Sequence, residues 1–246
     1  MLMADQTVTF KVFRYKQGDA SAHYDTFDVA VNDDTAVLIA LQDIRRDQDP
    51  TLILRHSCHH ASCGTCAMLI NGREDLSCVV KVLELGTPTV VVEPLRNIPI
   101  VSDLVVDMND FYARLNPAQR PYIRLSEFLA TAQAPDDIEA YTRFENCIEC
   151  GACVSACPIM GSDPEYYGPA ALAAAWRIVE EPRGLSPQGA LNWVDNEKGC
   201  WRCHVAYECT EVCPSDVDPG GKIMSLRGRL GRQKIRRLFG LERRKA

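Results

Sequence analysis

The run Cys147-Ile-Glu-Cys150-Gly-Ala-Cys153-Val-Ser-Ala-Cys157-Pro158 constrains this chain more than any other stretch, because four cysteines within eleven residues are hard to accommodate except as metal ligands. Its C-x2-C-x2-C-x3-C-P spacing is that of bacterial-type iron–sulfur ligation. Three thiolates on one tight loop grip one face of a cubane, while the fourth opens the next helix, points away and in two-cluster proteins serves the other cluster. A second run is therefore expected. Cys203-His-Val-Ala206-Tyr-Glu-Cys209-Thr-Glu-Val-Cys213-Pro214 provides it, with Ala206 where the second cysteine would stand. If the fourth cysteines are exchanged, Cys147, Cys150, Cys153 and Cys213 form a 4Fe-4S site, and Cys157, Cys203 and Cys209 share the other with an alanine at its fourth corner. Three thiolates hold three irons, so that site reads as 3Fe-4S.

A third set lies upstream. Cys58-His-His-Ala-Ser-Cys63-Gly-Thr-Cys66, followed at a distance by Cys78, has the C-x4-C-x2-C…C spacing of a plant-type 2Fe-2S cluster. Gly64 lets the backbone fold closely over sulfur. Asn71-Gly72 is a hairpin signal that carries Cys78 back to the loop.

Zinc is the simpler occupant of any C-x2-C pair, but three different sets that all match iron–sulfur spacing weigh against it. Cys200 leaves a second register open, since Cys200-x2-Cys203 would complete a 4Fe-4S site; as a bystander it is a small buried hydrophobe. His59 and His60 read as loop residues, given four cysteines at the right spacing. His204 has two readings, a structural histidine or an imidazole beside a cluster that bonds or protonates a redox partner.

The chain is long enough for two small domains. With 46% hydrophobic and 24% charged residues it has ordinary globular composition. No n-region and apolar h-region open it and no run of about 18 apolar residues occurs, so an intracellular chain without a membrane span is expected, and its twelve cysteines read as reduced thiols on metal. Charge is unevenly placed: from Lys222 onward ten Lys or Arg stand against Glu242, a balance of +9, and since the whole chain carries -6, residues 1–221 carry -15. An acidic body with a basic tail is not a nucleic-acid pattern; it suits one end kept against an anionic surface.

Alternation over Thr7–Tyr15 and Tyr24–Val31 predicts two strands, Asn32–Thr35 a helix cap, residues 36–45 a helix, Thr51–Leu54 a short strand, and Thr89-Val-Val-Val the close of the sheet. Residues 105–115 read as helical and the remaining stretch to Asp137 as wrapping loop. Helices are expected after Pro158 and Pro214 and from Gly168-Pro-Ala-Ala onward. Leu230, Ile235, Leu238, Phe239 and Leu241, set among the basic residues of the tail, suggest an amphipathic docking helix. The fold class is thus α+β, with a 2Fe-2S domain over 1–103 and a helical two-cluster domain over 104–246 that ends in a basic tail at 222–246.

The order and spacing of all three sets, together with Arg55-His-Ser-Cys58, Gly168-Pro-Ala-Ala, Trp201-Arg-Cys203 and Cys213-Pro-Ser-Asp-Val-Asp-Pro219, resemble the iron–sulfur subunit of succinate dehydrogenase and fumarate reductase. The resemblance implies a plant-type ferredoxin (β-grasp) domain, an all-helical bacterial-type ferredoxin domain, and a wire of 2Fe-2S, 4Fe-4S and 3Fe-4S clusters between an FAD-containing flavoprotein and a membrane quinone. It implies a haem-binding membrane anchor, a peripheral place on the cytoplasmic side of the cell membrane, and quinone-pocket positions at Pro158, Trp201, His204 and Arg227. Succinate would react on the flavoprotein and not on this chain, which has no G-x-G-x-x-G of its own. Where many family members carry a tryptophan shortly after the first Cys-Pro, this chain has Ile159-Met-Gly-Ser-Asp163. A related quinol- or thiol-linked fumarate reductase, working in the opposite direction, is the alternative; an iron–sulfur sensor would need a further module, and none is left over.

Overall fold

The computed structural model describes residues 6–115, 146–180 and 187–240. It divides into two compact units, one built from Met1–Asp110, Ile148–Ala156 and Val212–Ser215, the other from Phe111–Cys147, Cys157–Glu211 and Asp216–Ala246.

The first unit holds a mixed five-stranded sheet. Strands β1 (Gln6–Arg14) and β2 (His23–Val31) form a hairpin, followed by helix α1 (Val37–Asp43), which runs on as one wider turn to Gln48. Then come β3 (Ala67–Ile70), β4 (Arg73–Leu76) and β5 (Thr89–Glu93), in sheet order β2-β1-β5-β3-β4. Only β1 and β5 run parallel, with Phe10 opposite Val90 and Val12 opposite Val92. The alternation of β1 turns Val8, Phe10 and Val12 inward, and α1 covers that sheet with Val37, Leu38, Ala40 and Leu41. All four residues of β3 are buried, as in a strand covered on both faces. Asn71 and Gly72 take φ of 50° and 82°, the positive angles that a two-residue turn between right-twisted strands requires. A two-stranded ribbon, β6 (Ile100–Ser102) with β7 (Val105–Val106), completes the unit.

Three local expectations change. Thr51–Leu54 is not a strand: the segment is tied down by single bonds, from Ile53 N–H to Asp103 Oδ2 at 2.9 Å and from Leu104 N–H to Ile53 O at 3.2 Å. Asn32–Thr35 does not cap α1, whose N-cap is Ala36 without a side-chain bond; Asn32 and Thr35 instead close their own turn. Of residues 105–115, the first two are strand β7 and only Asn109–Arg114 (α2) is helical. The wrapping loop expected to follow lies largely outside the described residues.

The short helix α3 (Ala152–Ser155) belongs to the first unit. The second contains α4 (Pro158–Ser162), α5 (Pro169–Glu180), α6 (Gln188–Val194), α7 (Glu208–Glu211) and α8 (Pro219–Leu238). Helix α5 buries Ala170, Ala171, Leu172, Ala173 and Ala175, and its small side chains admit a close neighbour. That neighbour is α8, which packs through Ile223, Leu226 and Leu230. Pro158 stands in the first turn of α4 as expected, whereas Pro214 opens no helix. Helix α8 begins at Pro219, where Asp218, at φ 56°, accepts a bond from Gly221 N–H and another from Thr210 Oγ1. That built cap, and not the proline after the cysteine, sets the start. Among the described residues no helix is long and apolar enough to cross a membrane.

Candidate iron–sulfur centres

The Cys58–Cys66 loop is wound so that N–H groups face sulfur. His60 N–H lies 3.5 Å and Ser62 N–H 3.4 Å from Cys58 Sγ, and Cys58 N–H lies 3.5 Å from Cys63 Sγ. His59, Ala61 and Gly64 take φ of 63°, 60° and 69° to make these approaches. Bonds from Ser62 and then from the His60 backbone draw the Cys58 thiol down to about 5, so it is anionic at neutral pH and ready to bind a cation. Cys66 is the opposite case. It is 2% exposed, and burial pushes its thiol up to about 12; an iron ion supplies the charge that would ionise it. Ser77, fully buried, fixes the loop's end by bonding Cys66 O through both its N–H and its hydroxyl. His60 Nδ1 donates to Cys58 O at 2.6 Å and its Nε2 meets the Ser62 hydroxyl at 3.0 Å, while His59 Nε2 faces His56 Nδ1 at 3.2 Å. Both histidines of the loop are held by neighbours.

The same unit brings this loop against residues 148–155. A Cβ built on Gly64 would stand 2.7 Å from Ile148 O and 2.8 Å from Cys150 Cβ, so two cysteine loops pass backbone to backbone at that point. Below them, the Ser155 hydroxyl donates to Glu74 Oε1 at 2.8 Å and accepts from Arg96 N–H at 2.8 Å, and the Asn97 amide donates to Ser155 O at 2.8 Å. Glu74 sits on the hairpin that leads back to Cys78, and Ser155 on the helix that follows Cys153. Cys150, Cys153 and Cys213 belong to the first unit, Cys147 to the second.

In the second unit one cavity gathers Cys157, Cys203, Cys209 and Ala206, with Pro158 and His204 also on its wall. Amides again face sulfur, Val205 N–H at 3.3 Å from Cys203 Sγ and those of Met160 and Ile159 toward Cys157. Burial, and then the neighbouring thiolates, push the Cys209 thiol up to about 12. Three thiols, a methyl group at the fourth corner and converging N–H donors fit a three-iron cluster with sulfide edges. Tyr166 is the residue that sequence reading misses. It is 1% exposed and lines the cavity; burial first, then the neighbouring cysteine sulfurs, raise its phenol and keep it protonated. Its neighbourhood, Asp163-Pro-Glu-Tyr-Tyr167, carries no signal of that role.

The other two expected pocket residues are placed differently. The Arg227 guanidinium donates to Cys200 O at 2.8 Å, Trp201 O at 3.0 Å and Cys203 O at 2.6 Å, so it holds the turn that presents Cys203. It also lies over the Trp201 ring, 5.6 Å from the centroid. Trp201 donates from Nε1 to Asp195 at 2.6 Å. Neither is among the cavity's lining residues. Cys200 is fully buried, with its thiol pushed up to about 11 by burial, and it too is absent from that lining.

A ferredoxin-like sheet with a cysteine loop in one unit, and helices framing a sulfur-lined cavity in the other, define an electron-transfer protein with several iron–sulfur centres. Residues 9–113 match the family model for a 2Fe-2S iron-sulfur cluster binding domain, and residues 143–217 that for a 4Fe-4S dicluster domain. The chain is 35% identical over 229 residues to the fumarate reductase iron-sulfur subunit of Haemophilus influenzae, covering 87% of this chain and 89% of that one. It is 32% identical over 230 residues to the mitochondrial succinate dehydrogenase [ubiquinone] iron-sulfur subunit of Candida glabrata, covering 90% of each. The solved Sdh1 complex of Mycobacterium smegmatis in the apo form contains a similar chain, with a TM-score of 0.84 and 25% identity over 94% of this chain and 98% of that one. The chain belongs to the family of fumarate reductase and succinate dehydrogenase iron–sulfur subunits. Its cofactors are therefore 2Fe-2S, 4Fe-4S and 3Fe-4S clusters, and its α+β fold is that of the family.

Proposed function

We propose that this chain conducts single electrons between an FAD-containing flavoprotein, where succinate and fumarate interconvert, and a quinone at a haem-binding membrane subunit, as the peripheral subunit of a membrane-bound complex on its cytoplasmic side. The ligand sets are Cys58, Cys63, Cys66 and Cys78 for 2Fe-2S; Cys147, Cys150, Cys153 and Cys213 for 4Fe-4S; Cys157, Cys203 and Cys209 for 3Fe-4S. Residues 1–103 and 104–246 are the corresponding cluster-bearing domains. The observation that carries this reading is the cavity shared by Cys157, Cys203, Cys209 and Ala206, because a three-iron terminus is what distinguishes this wire from a simple two-cluster ferredoxin. When bound, the clusters supply reversible one-electron steps. The chain's own residues hold them, exclude water and orient the donors that tune them.

His204 stands at the cavity wall and is exposed, which suits an imidazole that meets a quinone oxygen from outside. Pro158 is exposed on the same wall. Arg227 supports the site through the carbonyls of the Cys203 turn, and the Trp201 ring lies against its guanidinium. The purified complex with His204→Ala should lose quinone reduction while keeping succinate-driven reduction of an artificial dye; equal loss of both would remove His204 from the quinone contact. Run in reverse, the same wire serves fumarate reduction, and every residue named here keeps its role.

A further inference from the structure

Helix α8 ends in a surface that the electron path does not use. Among the described residues, the three most exposed large hydrophobic side chains are Ile235 at 56%, Phe239 at 69% and Leu238 at 80%. They are spaced i, i+3 and i+4, so they share one face. That face lies roughly 140° around the axis from the buried Ile223, Leu226 and Leu230, away from the packing against α5. Arg232 and Arg236 border it on the Phe239 side at i, i+4 and i+7, and neither pairs with a carboxylate among the described residues. Lys234 borders it on the Leu238 side, paired with Asp195 at 2.7 Å and lying 4.9 Å from the centroid of the half-exposed Trp201 ring. From Pro219 to Gly240 there are seven Lys or Arg and no acid.

We infer that the last two turns of α8 form an interfacial helix that docks on an anionic lipid surface, with Ile235, Leu238 and Phe239 entering the headgroup boundary and Arg232 and Arg236 meeting phosphate. A large apolar face bordered by cations and lying along the helix is the pattern of an in-plane membrane helix. Charge selects the occupant. A second copy would bring seven cations against seven, and a nucleic acid would meet a chain that is -15 up to residue 221 while leaving the apolar face in water. A lipid headgroup layer satisfies both the cations and the apolar side chains. The patch begins about 18 Å along the axis from Ile223 at the cluster cavity, so it forms a foothold distinct from the cavity wall itself.

The inference stands apart from the electron-transfer reading, which is measured by cluster content and dye reduction. The cluster-loaded full chain should be sedimented with vesicles of phosphatidylcholine alone and with vesicles containing one third phosphatidylglycerol. Binding is expected only to the anionic vesicles. It should weaken roughly fivefold for each cation removed in R232Q and R236Q, weaken further as salt is raised, and fall again in a triple variant, I235S with L238S and F239S. The visible cluster spectra of all variants should match the parent, which shows that they fold. Equal binding to neutral and anionic vesicles, or binding insensitive to both variants, overturns the inference. So does absence of vesicle binding by a chain that still associates with a membrane polypeptide in detergent, since the face would then belong to a protein partner.

Discussion

Gly64 meets two separate constraints. Its φ of 69° is a conformation that costs a residue with a Cβ about 1–3 kcal/mol, and its missing Cβ is what lets the first cysteine loop touch Ile148 O and Cys150. Gly64→Ala should therefore do more than destabilise. We expect reduced 2Fe-2S loading and a weakened magnetic interaction between the reduced 2Fe-2S and 4Fe-4S centres in low-temperature EPR; unchanged coupling at full loading would show that the two loops can part without consequence. The ligand spacing at this residue is legible in the sequence, because thiolates on one loop are separated by a fixed few residues. The contact with Cys150 is not, since it joins segments more than 80 residues apart. Tyr166 is hidden for the same reason: nothing local distinguishes a buried tyrosine that lines a cavity built by distant cysteines.

Among elements, the hairpin around Asn71-Gly72 and the alternating strands follow from local preference and appear where expected. The end of β1 does not, because its anchor is assembled from four places. Buried Arg14 bonds Asp25 at 2.8 Å, Thr51 at 2.8 Å, Asp103 at 3.3 Å and also Asp49, and the fully buried Asp103 accepts the Tyr15 and Ile53 amides. Backbone pairing of Thr51–Leu54 gives way to this ionic lock, which explains the missing strand. Arg14→Leu leaves the Asp103 charge buried with its two amide bonds but without its ion-pair partner and should cost about 3–5 kcal/mol near pH 7, read as a lower unfolding midpoint. Asp49 is held down to about 2, first by Thr51 and then by Arg14. A lowered folded value stabilises fully above the ordinary carboxylate pKa near 4 and is lost as pH falls through 2. The gap between parent and Arg14→Leu should accordingly narrow on acidification below about pH 4; a gap that widens there would contradict the lock. Pro214 is a further case of element-scale competition. A proline permits a helix start without imposing one, and the Asp218 cap with Gly220 and Gly221 places the start of α8 at Pro219.

For the molecule as a whole, the central claim is a chain of three unlike clusters, ending at a site that holds three irons because Ala206 stands where a thiolate would. The family relationship supports the set of clusters, and the cavity at Cys157, Cys203 and Cys209 supports the terminus. Cys200 is fully buried and not among that cavity's lining residues, with its carbonyl bonded to Arg227. The most direct measurement is iron analysis combined with low-temperature EPR on the intact complex, for the parent and for Ala206→Cys. The parent should contain about nine irons per chain, as two, four and three, with a signal from an oxidised 3Fe-4S centre. Ala206→Cys should gain about one iron, lose that signal and show a second reduced 4Fe-4S centre. Two 4Fe-4S signals and no 3Fe-4S signal in the parent would contradict the account and make Cys200 the fourth ligand.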